Sequence, residues 1–332
     1  MEPVRWGILS VSGHYGLRIH HPLSQLPEAS IVAIASRDKA RAAEAAARFR
    51  IERSYASYEA LLADPTVEAV YIPLPNHLHA EWAMRALDAG KHVLCEKPIA
   101  MDAAQARQMA GRARERGLLL MEAFMYRYHP QWIRARQILD TGELGRVLSV
   151  HTSFTYNNAD PANIRNRREA GGGALYDIGC YAISVARWMV GEEPERVLSL
   201  MKRDESFGTD VLSSALLDFG AASGDARSLF TVATKAFPVQ RVDVLGEKGS
   251  LSVILPFNAY PDVPLALEVS TSLGTRRIES AAADQYAAMF AAFSRSLRSG
   301  APAPTPIEDG IANMAVIDAL FRSEQSGRWE RV

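Results

Sequence analysis

Over residues 1–124 the chain alternates short apolar runs with amphipathic helical stretches. VRWGIL, SIVAIASR, VEAVYIPLP, HVLCEKP and LLLMEAF are the apolar runs. Their unbroken apolar character predicts strands of a parallel sheet covered on both faces. AEAAARF, HAEWAMRALDAG and AAQARQMAGRARERG carry helical spacing between them, the last two closed by Gly90 and Gly117. This βαβ rhythm predicts a doubly wound domain over residues 1–124.

From residue 125 the pattern changes. Longer runs with partial alternation follow one another: RVLSVHTSFTY, RVLSLMKR, VLSSALLDF, RSLFTVAT, QRVDVLG and GSLSVILPF. They predict a large open, mostly antiparallel sheet, interrupted by the helix GALYDIGCYAISVARWMVG and preceded by QWIRARQILDTG. Two helices close the chain, ADQYAAMFAAFSRSLRSG and IEDGIANMAVIDALFRSEQSG, joined by the loop APAPTP. The expected fold class is α/β. Two domains are expected, the doubly wound one over 1–124 and a second α/β domain over 125–332 whose open sheet is expected to pair copies of the chain.

Composition narrows the class without naming a function. With 48% hydrophobic residues and a formal net charge of −1, the chain reads as an ordinary globular protein with no global field for nucleic acid or anionic lipid. No basic leader precedes an apolar stretch, and no apolar run approaches the ~20 residues of a membrane span. The cysteines, Cys95 and Cys180, make no disulfide framework, so reduced thiols and a cytoplasmic setting are expected. No metal is expected.

The first apolar run leads into SVSGHYG. A dinucleotide turn reads G-x-G-x-x-G, and here Ser10 and Ser12 stand at the first two glycine positions, followed by Gly13 and Gly16. Serine is small enough to near those demands and its hydroxyl can bond phosphate; an ordinary strand–turn reads equally well. Ser36 and Arg37 lie where an adenosine ribose would sit, and arginine there accommodates the 2′-phosphate of NADP. Arg37 reads alternatively as a solvated helix-start residue paired with Asp38, which also keeps NAD possible. Pro75, Asn76 and His79 follow a later strand end, within reach of a cofactor, although His79 alone reads better as a helix-start histidine. In CEKP, Lys97 is a candidate proton donor or acceptor, and Glu96 an orienting charge. In GGGALYDIGCYAIS, Asp177 and Tyr181 are four apart and share a helix face. Gly171–Gly173 before them permit close approach of a ligand or another backbone. Tyr181 is a proton-transfer candidate or a core aromatic. Asn163 and Arg165 are polar pocket candidates or plain loop residues.

Together VAIASRD, PNHLHAEWAMRALDAGKHVLCEKP, MEAFMYRYHP, GGGALYDIGCY and LGEKGS, in this order along nearly the whole chain, resemble the Gfo/Idh/MocA family of NAD(P)-dependent oxidoreductases. The resemblance implies a Rossmann domain followed by an α/β domain, with Lys97 as central catalytic residue and Asp177 in the site. Where many relatives carry histidine this chain has Tyr181. It thereby resembles the branch of glucose–fructose oxidoreductase, NADP-dependent xylose dehydrogenase and trans-dihydrodiol dehydrogenase, in which the tyrosine is taken as acid/base. The implied cofactor is NADP, with NAD as the alternative. Its expected contacts are Ser10, Ser12, Gly13, Gly16, Ser36, Arg37, Pro75, Asn76, His79, Glu96 and Lys97. The expected substrate set is Phe124, Arg127, Asn163, Arg165, Asp177 and Tyr181. A sugar or other polyhydroxylated ring is the implied substrate. Aromatic lining from Phe124, Tyr156 or Trp132 would favour a trans-dihydrodiol, and a non-catalytic NADP-binding regulator is the rival from another class. Relative to that branch the SVSGHYG loop is one residue longer.

Overall fold

The computed structural model describes residues 2–332. The chain forms two compact units: residues up to Met125 with Tyr286–Ile311, and Tyr126–Gln285 with Ala312–Val332. The expectation of an unbroken second domain over 125–332 is corrected by this return. Its cause is aromatic packing. On the helix Gln285–Ser299, Phe290 and Phe293 stand 5.0 and 5.4 Å from Trp6, and Ser294 Oγ accepts from Trp6 Nε1 at 3.3 Å.

The first unit holds β1 (Val4–Leu9), β2 (Ala29–Ala35), β3 (Arg53–Tyr55), β4 (Ala69–Ile72), β5 (His92–Cys95) and β6 (Leu120–Glu122). They form a six-stranded sheet in the order β3-β2-β1-β4-β5-β6, parallel throughout. That is the doubly wound topology, in which ligands bind outside the carboxyl ends where the order reverses, here between β1 and β4. Trp6, Ile8 and Leu9 of β1 are fully buried, each side chain contributing about 1.5–3 kcal/mol. The sequence pattern misses β3, which has three residues and no buried position.

The second unit carries β7 (Val147–Asn157), β8 (Arg196–Arg203), β9 (Asp210–Asp218), β10 (Arg227–Ala233), β11 (Lys235–Gly246), β12 (Gly249–Val253), β13 (Leu265–Thr271), β14 (Gly274–Ser280) and β15 (Glu330–Arg331). The nine-stranded sheet runs β14-β13-β12-β11-β7-β10-β9-β8-β15. Within this sheet only β7 and β10 pair in parallel among the described strands. The helix Cys180–Val190 packs against β7. The pattern misses the β13–β14 hairpin because GTRRIES offers no apolar alternation. No helix among the described residues is long and apolar enough to cross a membrane.

Candidate active site

The predicted cofactor residues gather by topology. Ser10, Ser36, Pro75 and Lys97 each follow, within three residues, the last residue of β1, β2, β4 and β5, and these strands are parallel neighbours. Ser10 has φ +132°, a conformation that costs a non-glycine residue about 1–3 kcal/mol, so the chain holds serine in a glycine's backbone state. Ser12 caps the following helix: its Oγ accepts from the Tyr15 N–H at 3.1 Å and its carbonyl from Gly16 at 3.2 Å. That helix passes through a π turn at Tyr15–Ile19. A Cβ on Gly13 would meet nothing within 4 Å, so the loop leaves open space there. A Cβ on Gly16 would stand 3.2 Å from Phe49, so Gly16 serves helix packing.

At the end of β2, Asp38 is no partner of Arg37. Its carboxylate caps the helix Lys39–Phe49, accepting from Ala40 at 2.9 Å and Arg41 at 3.1 Å. Arg37 is exposed and has no hydrogen bond or ion pair among the described residues. Ser36 is buried, its hydroxyl accepting from the Asp38 N–H at 3.2 Å.

Glu96 is buried and accepts from the Tyr71 hydroxyl at 2.5 Å, while His14 Nε2 stands 3.6 Å away. Burial pushes its carboxyl upward, but His14, Tyr71 and Lys97 overcome this and hold the pKa down at about 2. Glu96 is therefore a fixed negative charge beside Lys97, which is half-buried. His79 is fully buried, its ring nitrogens 2.7 Å from the Pro98 carbonyl and 2.8 Å from the Leu74 carbonyl. The expectation that it contacts cofactor is corrected: both nitrogens face backbone. Pro75 and Asn76 open a short 3-10 turn and are half-buried. Burial pushes the Cys95 thiol well up, so it is unreactive.

In the second unit the glycine run answers its own question. A Cβ on Gly172 would stand 2.4 Å from the Arg165 carbonyl oxygen, and the Gly172 and Gly173 N–H groups donate to Arg167 and Arg165 at 3.0 and 2.9 Å. The close partner is backbone, and the contact brings the Arg165 loop to the start of the following helix. Asp210 fixes that start, accepting from the Leu175 N–H and the Ser213 hydroxyl, each at 2.7 Å. Asp177 lies in a π turn at Leu175–Gly179 and Tyr181 in the first turn of the α-helix, rather than both in one regular α-helix. Asp177 Oδ2 accepts from the Tyr156 hydroxyl at 2.6 Å and from Arg165 Nε at 3.0 Å. Asp177 holds Arg165 more firmly charged than usual, against the cost of burial, with Tyr156 and Tyr181 adding to it. Burial and then Asp177 push the Tyr156 phenol far up, which leaves it a neutral donor.

Other substrate candidates have structural employment. Asn163 Oδ1 accepts from the Arg165 N–H at 3.0 Å and shapes its own loop. Arg127 Nη2 donates to Ser184 Oγ at 2.8 Å and its guanidinium lies 5.4 Å from the Trp188 ring, which ties it to the helix Cys180–Val190. Phe124 and Trp132 are 1% and 0% exposed, interior rings rather than an open pocket surface. Tyr181 packs its ring 5.1 Å from Phe257 and 5.9 Å from Phe154. Sequence reasoning missed His14, Tyr71, Glu122 and Asp210. Glu122 carries a readable signal, the one carboxylate in the apolar run LLLMEAF.

Residues 4–124 match the family model described as an oxidoreductase family with an NAD-binding Rossmann fold, and 132–252 match the GFO/IDH/MocA C-terminal domain. An uncharacterized oxidoreductase, ORF334, of Rhizobium meliloti is 42% identical over 339 residues, covering 100% of each chain. The D-xylose 1-dehydrogenase (NADP(+)) 2 of Haloferax volcanii is 37% identical, covering 97% of this chain and 98% of its own. A 3-ketoreductase from Actinomadura kijaniata, crystallised with NADP and TDP-benzene, superposes with a TM-score of 0.90 at 33% identity over 97% of this chain and 98% of its own.

Proposed function

The chain belongs to the Gfo/Idh/MocA oxidoreductase family, and on that footing we propose that it is an NADP(H)-dependent enzyme acting on an aldose-like sugar. Bound NADP(H) supplies or accepts the hydride. The observation that carries the cofactor reading is Arg37, exposed and without an ion-pair partner at the end of β2, as a 2′-phosphate demands. The open space over Gly13 and the glycine-like backbone of Ser10 fit a pyrophosphate approaching the loop. The sugar reading is supported by the likeness to a xylose dehydrogenase.

Within this reading Lys97 and Tyr181 handle the proton of the substrate oxygen. Asp177, held by Tyr156 and Arg165, fixes the polar floor on which the substrate hydroxyls are oriented. Fluorescence titration with NADPH and NADH, followed by a panel of aldoses and cyclic diols, tests the reading. Preference for NADPH and turnover of an aldose are expected; turnover of diols alone would replace the sugar. Tight NADPH binding with no turnover of any member would favour a regulator. Lys97→Ala should abolish turnover and spare NADPH binding, and full activity of that variant overturns the role of Lys97.

The same reading includes pairing of two copies through the open sheet face. Leu198, Leu200, Leu216 and Leu229 meet there as cross-strand neighbours or next-but-one positions, and Leu200 is 77% exposed. His151 and the Arg241–Asp243 pair, bonded at 2.7 Å, lie on the same face and give it both signs of charge, which suits a two-fold contact of the patch with itself. Light scattering should give twice the chain mass, and Leu200→Asp should reduce it to one.

A further inference from the structure

We propose that His79 and Glu122 are positioning residues that clamp the single peptide unit following Lys97 and Pro98. The inference rests on the reading of Lys97 as a working residue of the site. The carbonyl oxygen of the Pro98–Ile99 peptide lies 2.7 Å from His79 Nδ1, and the N–H of the same peptide donates to Glu122 Oε1 at 2.8 Å. Both side chains are interior, His79 at 0% and Glu122 at 3% exposure. His79 Nε2 lies 2.8 Å from the Leu74 carbonyl, so one ring spans the segments that leave β4 and β5, while Glu122 is the last residue of β6. Three neighbouring strand ends thus converge on one peptide.

Burying a carboxyl and an imidazole costs free energy that apolar side chains of the same volume would not. What the polar pair adds is direction: each fixes one end of the peptide dipole. Carbonyl oxygens only accept, so the neutral ring bonds one of its two carbonyls and the protonated ring both. Burial lowers the pKa of His79, opposed by the two carbonyls and Glu96. On the other side of Lys97, Glu96 is held by Tyr71. Lys97 therefore sits between two anchored neighbours, and Pro98 removes one torsion between it and the clamp. A displacement of about 1 Å at a reacting group costs about 10²-fold in rate, which sets the scale of the effect.

The test uses the full chain with His79→Leu, Glu122→Leu, the conservative pair Glu122→Gln and His79→Asn, and Lys97→Ala as reference. Hydrogen–deuterium exchange of the apo protein reads the clamp directly. Faster exchange of the segment after Lys97, by about tenfold or more and without change elsewhere, is expected in both leucine variants. With NADP+ and D-xylose, or the best aldose of the panel, kcat should fall by about 10–100-fold while KM and the NADPH Kd move less than about threefold. Glu122→Gln keeps the acceptor Oε1 and should recover most of the rate. Because both residues hold one peptide, the double variant should lose little more than the worse single. Should the leucine variants not fold, the conservative pair decides: reduced kcat at unchanged KM in His79→Asn, with Glu122→Gln near wild type, supports the clamp. Unchanged exchange, or kcat within twofold of wild type while Lys97→Ala is inactive, overturns the clamp and leaves the Lys97 reading standing. An active Lys97→Ala overturns the Lys97 reading instead, and the exchange arm then reports on the clamp alone.

Discussion

The Tyr156 hydroxyl donates to Asp177 Oδ2 at 2.6 Å, and the same oxygen takes the Arg165 Nε–H at 3.0 Å. Asp177 is thereby oriented from a strand and from a loop together, while its own helix is pinned by Asp210. Tyr156→Phe keeps the ring and removes one charge-assisted bond, worth about 1.5–3 kcal/mol. A fall in kcat of about 10-fold is expected from steady-state kinetics. Since burial and Asp177 keep the phenol protonated at all working pH, the basic limb of the kcat–pH profile should stay in place. Loss of that limb would make Tyr156 the acid/base and refute its positioning role.

The proposed reading gives Arg37 the choice of coenzyme. Arg37→Gln removes the guanidinium from an exposed position that supports nothing else, so folding should be unaffected. Loss of a charge-assisted phosphate contact of about 1.5–3 kcal/mol should raise the NADPH Kd by about 10–100-fold. The NADH Kd should move less than about threefold, and equal weakening of both coenzymes would contradict the assignment.

Two glycines should respond oppositely to alanine. Gly13→Ala adds a methyl into open space, so the apo melting temperature should hold while NADPH binding weakens at least about tenfold. Gly172→Ala drives its methyl to 2.4 Å from the backbone carbonyl oxygen of Arg165. A loss of about 2–4 kcal/mol by urea unfolding is expected, since the Arg165 loop must move.

Glu96 links stability to pH. Its folded pKa of about 2 lies below the ordinary value of 4.5, so its stabilising contribution is complete above pH 4.5 and is lost as pH falls toward 2. The contribution is on the order of 2–3 kcal/mol. In urea melts at pH 6 and pH 3, wild type should approach Glu96→Gln at the lower pH. A constant gap would show that the carboxylate charge does not supply the difference.

The apolar rhythm by itself determined the doubly wound domain, the large second sheet and the strand ends on which Ser10, Arg37 and Lys97 lie. It did so because burial of continuous apolar strands is a local property of the chain, and their C-terminal ends are where a parallel sheet exposes backbone to ligand. Ser10 was legible as a substituted glycine because the turn constrains φ whatever the side chain.

What a polar side chain bonds to was not legible, because hydrogen-bond partners come from segments far apart in sequence. His79 read as a cofactor contact or, alone, as a helix-start histidine, and its ring nitrogens face two backbone carbonyls. Asp38 read alternatively as a partner of Arg37 and caps a helix. The glycine run allowed a ligand or a backbone, and only the tertiary approach of Arg165 chose the backbone. The return of Tyr286–Ile311 to the first unit was equally invisible, since helical periodicity shows that a face must be buried but not which sheet buries it. Spacing determined most of the elements and their order; three-dimensional packing alone decided which charges are paired and which, like Arg37, are not.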